Sequence, residues 1–146
     1  MEAEVREIRD HLAQYPPFDN LSEELLDEVA AAVEIAYFKA GTAILERDEP
    51  THTLSYIRSG AVEVYLHNGQ LYNRLDEGDI FGQFDLLRNQ RVRFPVKAIE
   101  DTLLYLIPET VFQHLCSEDN NFADFVELSG SRLKSTVEQS LRDNDM

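Results

Sequence analysis

The sequence predicts an α+β chain, an antiparallel β sandwich or barrel of short strands flanked by helices at both ends. Three observations carry this. Residues 34–107 break into short apolar runs separated by glycines, with Asn68-Gly69, a strong hairpin signal, near their middle. Before and after that region apolar residues recur at three- and four-residue spacing, the period of amphipathic helices. No repeat, low-complexity tract or linker divides the 146 residues. The chain therefore reads as one domain over 1–146, with helices over about 2–33, strands over about 34–107 and helices over about 108–143.

Val5, Ile8 and Leu12 define a first helix over 2–14, and Tyr15-Pro16-Pro17-Phe18 ends it because neither proline continues the hydrogen-bond ladder. A second helix starts at Asn20 or Ser22, either of which can cap it, with Glu23 and Glu24 favourable in its first turn. Its buried face is Leu25, Leu26, Val29, Ala30 and Val33. Ile35 and Tyr37 lie on a strand that ends at an Ala40-Gly41 turn. Strands follow over His52–Ile57 and Ala61–Leu66, where Val62, Val64 and Leu66 alternate with Glu63 and Tyr65 as on a half-buried strand. Leu71–Leu75 returns from the hairpin, and Val96–Ile99 and Leu103–Ile107 close the region. Pro108 suits a helix start, with Val111, Phe112 and Leu115 apolar. After Asp119-Asn120-Asn121 a longer helix runs over 122–141 on Phe122, Phe125, Val126, Leu133, Val137 and Leu141, with Gly130 its weak point.

Composition excludes several functions. A net charge of −15 repels nucleic acid and anionic membrane surfaces, so no broad polyanion footprint is expected. No apolar run approaches the roughly 20 residues of a membrane span, and the first residues lack a signal-peptide pattern. A single cysteine, Cys116, forms no internal disulfide, which fits a reducing, cytoplasmic setting.

The most informative segment is Phe81-Gly82-Gln83-Phe84-Asp85-Leu86-Leu87: a strand, a glycine, one helical turn and then a basic loop. Unpaired N–H groups at such a turn favour an anion, and Arg88, Arg91, Arg93 and Lys97 concentrate positive charge beside it. The candidate ligand residues are Gly82, Gln83, Phe84, Asp85 and Leu86, with Arg91 or Arg93 as the counter-charge. Gln83 either lines a pocket or bonds backbone at the helix start, and Asp85 is expected to pair with Arg88 or face solvent. Catalysis finds no constellation. His11, His52, His67 and His114 are scattered, Cys116 and His114 face different ways on a helix, and no nucleophile elbow occurs. Neither an enzyme, a metal site nor a resident cofactor is expected.

These features together resemble cyclic nucleotide-binding domains, the module of bacterial catabolite activators, cyclic-nucleotide-dependent kinase regulatory subunits and gated channels. The resemblance rests on Ala40-Gly41-Thr42-Ala43-Ile44-Leu45, Leu54 to Val64, Leu75-Asp76-Glu77-Gly78-Asp79-Ile80-Phe81-Gly82 and Ala98 to Pro108. It implies a jelly roll (double-stranded β-helix) and cAMP or cGMP as ligand. It places the ribose hydroxyl on Gln83, where the family has Glu, and the phosphate on the N–H groups of residues 82–86. Tyr65 and Tyr72 would shape the base pocket. Asp85 replaces a small residue, Val92 falls at the usual arginine position, and Phe94 and Pro95 replace the small and hydroxyl residues after it.

Arg93-Phe94, Ala98-Ile99-Glu100-Asp101 and Leu104-Tyr105-Leu106 also resemble one bacterial signalling subgroup, in which this domain precedes CBS and nucleotidyltransferase-like domains. That implies a sensory piece with further domains downstream. A second reading is a degenerate module that binds no nucleotide and serves as a homodimerisation or docking unit through residues 122–141. A third, a cupin-like metalloenzyme, needs clustered histidines on the strands, and only His52 and His67 lie there.

Overall fold

The structure, a computed structural model, describes residues 2–129. Helix α1 (Ala3–Leu12) buries Ile8, His11 and Leu12, and a 3-10 turn (Phe18–Asn20) leads to α2 (Glu23–Ala32). Of the two possible caps, Ser22 is the one used. Its hydroxyl accepts from the Leu25 N–H at 3.2 Å, which satisfies one of the orphan donors at the helix start. Arg9 on α1 is ion-paired with Asp27 on α2, tying the two helices together.

Eight strands follow: β1 (Glu34–Phe38), β2 (Ala43–Leu45), β3 (Thr53–Ser59), β4 (Ala61–Tyr65), β5 (Leu71–Asp76), β6 (Ile80–Phe81), β7 (Val96–Ala98) and β8 (Thr102–Pro108). Helix α3 (Gln83–Leu87) lies between β6 and β7, and α4 (Glu109–Glu118) follows β8. Residues 120–129 are helical (α5), which covers the first part of the predicted 122–141 helix; residues 130–141 of that expectation lie outside the described residues.

The strands make two antiparallel four-stranded sheets, β1-β8-β3-β6 and β2-β7-β4-β5, the predicted jelly-roll sandwich with flanking helices. The first sheet is covered on both faces. Leu54 and Tyr56 of β3, with Tyr105 and Ile107 of β8, pack under the helices against Leu12, Phe18, Val29, Phe112 and Phe122. Ile57 and Leu104, one pleat away, face Val62, Val64, Phe84, Phe94 and Val96 inside the sandwich. The period-2 alternation of β3 and β8 thus separates a helix-side core from a sandwich core. On β4 the predicted alternation holds, with Val62 and Val64 buried and Glu63 and Tyr65 partly exposed.

The β3–β4 turn admits one residue type. Gly60 has φ +100°, and a Cβ there would stand 2.5 Å from the Asp101 carbonyl oxygen and from Thr102 Oγ1. The buried Thr102 hydroxyl closes this corner at 2.8 Å from Glu100 O and 3.2 Å from Ala61 O.

Candidate functional site

Gly82 turns the chain from β6 into α3 with φ +95°. A Cβ at this position would lie 3.3 Å from the Thr53 carbonyl oxygen, so both the conformation and the space favour glycine. Helix α3 is only five residues long, yet its consecutive Phe84, Asp85 and Leu86 are all buried. It is wedged between the two cores. Phe84 joins the sandwich core, edge-on to Phe94 with ring centroids 5.1 Å apart, and Leu86 joins the helix-side core.

A cavity of about 340 Å³ opens beside α3, within the size range of small-molecule sites. Val64, Leu75, Phe94 and Val96 supply apolar wall; Gln83, Phe84 and Asp85 line its α3 end, with Gly82 at the turn. Tyr72 and Asn73 reach it from β5, Asp79 from the turn before β6, and Phe125 and Ser129 from α5. The Gln83 Oε1 atom is buried without a hydrogen-bond partner among the described residues. Of its two expected roles, the amide therefore takes the pocket-lining one.

Asp85 departs from the sequence expectation. It neither pairs with Arg88 nor faces solvent, being only 3% exposed. Its Oδ1 accepts from Gln90 Nε2 at 2.8 Å, and its Oδ2 accepts from the Arg93 backbone N–H at 3.4 Å. The side chain thereby pins the loop after α3. Burial pushes its carboxyl above the ordinary value, against the opposing pull of Gln90, Arg93 and Arg88. Asp79, also at the cavity, is raised by burial as well.

The basic residues of this segment point elsewhere. The Arg88 guanidinium lies 4.1 Å over the Phe84 ring, a cation–π contact. Arg91 donates from Nη1 to the Asp48 carbonyl at 3.0 Å, and Arg93 and Lys97 are exposed. The loop is held in extended form by two backbone bonds, Val92 N to Glu49 O and Asp48 N to Val92 O, each 2.8 Å. Side chains alternate along it: Val92, Phe94 and Val96 go inward, and Arg91 and Arg93 go outward. Among the described residues no lysine or arginine lines the cavity.

The structure thus gathers Gly82, Gln83, Phe84 and Asp85 at one cavity and leaves Leu86, Arg91 and Arg93 off it. Tyr72 is at the cavity, whereas Tyr65 bonds Glu63 at 2.9 Å and does not line it. Asn73, Asp79 and Phe125 were not legible as site residues. Phe94 was, in principle, since it shares the inward period of Val92 and Val96. Among the described residues no group of three His, Cys, Asp or Glu is placed to hold a metal ion. Burial against the helix-side core lifts the Cys116 thiol to about 11, away from nucleophilic use, and His114 instead pairs with Glu28 at 2.7 Å.

The sequence model of the family described as cyclic nucleotide-binding domain matches residues 35–119, which span β1 to the end of the α4 region. The chain belongs to that family. Among curated relatives, "Glutaminase 1" of Bradyrhizobium diazoefficiens is 36% identical over 80 residues, 55% of this chain and 13% of that protein. Two solved cyclic nucleotide-binding-type structures share the fold at low identity. One is cAMP-bound PfPKA-R, with TM-score 0.78 and 15% identity, matched over 98% of this chain and 48% of that one. The other is the regulatory subunit of a cAMP-independent protein kinase A from Trypanosoma brucei, with TM-score 0.77 and 19% identity, over 94% and 51%. In each case this chain spans only part of the relative's length. At these identities the two likenesses show the fold alone. Among the described residues no helix is long and apolar enough to cross a membrane.

Proposed function

We infer that the chain is a regulatory module of a longer signalling protein, non-catalytic itself, that senses a small molecule in the cavity beside α3. The observation that carries this is the buried Gln83 Oε1 at the wall of that cavity, unpartnered among the described residues, since buried acceptors are normally paired. Family membership supports a cyclic nucleotide as the first occupant to test, with its ribose hydroxyl on Gln83 and its base beside Tyr72. Occupancy would act on α5, whose Phe125 and Ser129 line the cavity, by shifting the population of helix positions. Far longer relatives support a place within a larger chain, of which CBS and nucleotidyltransferase-like domains are the downstream partners the sequence suggests.

Asp85 favours a second reading, in which cyclic nucleotide is no longer bound and the module serves dimerisation or docking. Phe125 and Leu128, 39% and 54% exposed on α5, support a homodimer through that helix. Calorimetric titration with cAMP and cGMP, alongside thermal melts, separates the two. Saturable binding that raises Tm and is lost in Gln83→Leu establishes the cavity as a cyclic nucleotide sensor. Neither heat nor shift at millimolar nucleotide removes cyclic nucleotides from the first reading and strengthens the second.

A further inference from the structure

We propose that the outer side of β1 is a docking edge for an extended, basic segment of a partner polypeptide, which adds to the first sheet as a further strand. The sheet edges are protected unequally. β6 and β2 are short, two and three residues, and give a partner little to pair with. β5 is longer, but Asn73, Arg74 and Asp76 place polar and charged groups along it, a common defence of an edge. β1 has neither protection. It bonds β8 on one side, is unpaired on the other among the described residues, and reads Glu34-Ile35-Ala36-Tyr37-Phe38. Ile35 and Tyr37, the register partners of Tyr105 and Leu103, share one face of the strand and are 45% and 59% exposed. Main-chain bonds to β1 hold the added strand, and its alternate side chains cover these two.

The surroundings of β1 set the chemistry of that segment. A groove of about 340 Å³ lies between Ile35 and α1, with Ile8, Leu103 and Tyr105 as its apolar wall and Glu4 and Glu7 beside them. Arg58, also at the groove, is ion-paired with Glu77 at 3.5 Å, and Tyr37 lies beside Asp101. Against Glu4, Glu7, Glu34 and Asp101 stands Lys39, just past the end of the strand. A lysine or arginine of the added strand suits both parts of the groove, its aliphatic stem on Ile35 and Leu103 and its charged head at Glu4 and Glu7. A second copy of this chain suits it poorly, since each copy carries the same acids and the same net charge of −15.

The probe is a short acetylated peptide alternating lysine and valine, with a glutamate–valine peptide of equal length as control. Each is titrated into the isotope-labelled chain and followed by amide chemical shifts. The basic peptide is expected to bind more tightly than the acidic one by about tenfold or more, to shift the amides of Glu34–Phe38 and to weaken as salt rises. Ile35→Lys charges the edge and should weaken binding of the basic peptide about tenfold or more; Glu4→Lys with Glu7→Lys should weaken it in the same direction. All three positions are exposed, and thermal melts verify that the variants are folded. No binding of the basic peptide at millimolar concentration, equal binding of the two peptides, or shifts confined to other elements would overturn the proposal. So would a self-associated chain that Ile35→Lys converts to monomer, which makes a second copy the occupant. Binding that appears only once residues 130–146 are removed would overturn it too, by making that segment the occupant.

Discussion

The helix-side core and the sandwich end both bury polar side chains and treat them in opposite ways. Under α1, His11 Nε2 lies 2.7 Å from Tyr56 Oη, with the rings of Tyr15, Tyr56 and Tyr105 packed around the imidazole. The pair is closed, and burial and the Arg58 charge hold the His11 pKa below its ordinary value. At α3, Gln83 Oε1 is also inaccessible but unpaired among the described residues, and beside it lies open volume. A satisfied buried pair rigidifies the part of the molecule it joins, whereas an unsatisfied acceptor at a cavity leaves free energy for something else to supply. One region holds α1 to the sandwich; the other is available to a ligand.

Mutations on the two sides should therefore differ in size and in sign. The largest effect is expected from Phe18→Ala, because this fully buried ring packs on both Tyr56 and Phe122 at 5.8 and 5.7 Å between centroids. Denaturant unfolding should show a loss of about 3–5 kcal/mol. A loss below about 1 kcal/mol would mean the helix-side core is far looser than its burial implies.

Tyr56→Phe comes next. It strands His11 Nε2 in the core and should cost about 1–3 kcal/mol in the same assay. Gln83→Leu should do the reverse, leaving the ligand-free protein unchanged or stabilised by up to about 1 kcal/mol, since no bond is broken and a desolvated oxygen is removed. Equal losses for Tyr56→Phe and Gln83→Leu would erase the contrast between the two regions.

The smallest effect is a dependence on pH. Because burial raises the Asp85 pKa, the folded state holds the proton more firmly than the unfolded chain. Its favourable contribution is complete below the unfolded pKa and is lost as pH rises through the folded one. Asp85→Asn should therefore gain stability relative to the wild type as pH rises above the ordinary aspartate range, about 4, read as a widening Tm difference. A constant difference would place the charged carboxylate in a better environment than Gln90 and Arg93 provide.

Most of the sandwich was legible because β3, β4 and β8 follow simple rules: alternation on β4, glycine turns at Gly60 and Gly69, and proline at the start of α4. The cavity was half legible. Gly82 marks its turn through backbone conformation, which sequence exposes directly. The direction of Asp85 was not readable, since a five-residue helix covered on several sides has no single apolar face for periodicity to find. The arginines were obscured for a related reason. Only the pairing of Val92 with the Asp48–Glu49 turn, distant in sequence, sets the phase that sends Arg91 and Arg93 outward. Asp79 and Phe125 reach the cavity by tertiary placement alone.

The pairing of β6 with β3 has a consequence for motion. Ser55 and Tyr56, in one of the two central strands of the first sheet, are the register partners of Phe81 and Ile80. The chain thus leaves a deeply protected strand pair and, one residue later, enters the helix that lines open volume. Amide hydrogen exchange should accordingly change steeply over a few residues, slowest along β3, slow at Ile80 and Phe81, and faster from Gln83 onward. With Phe84 and Leu86 anchoring α3 in the two cores, any displacement of that helix has to pivot at Gly82, because the strand pair before it is fixed by the sheet.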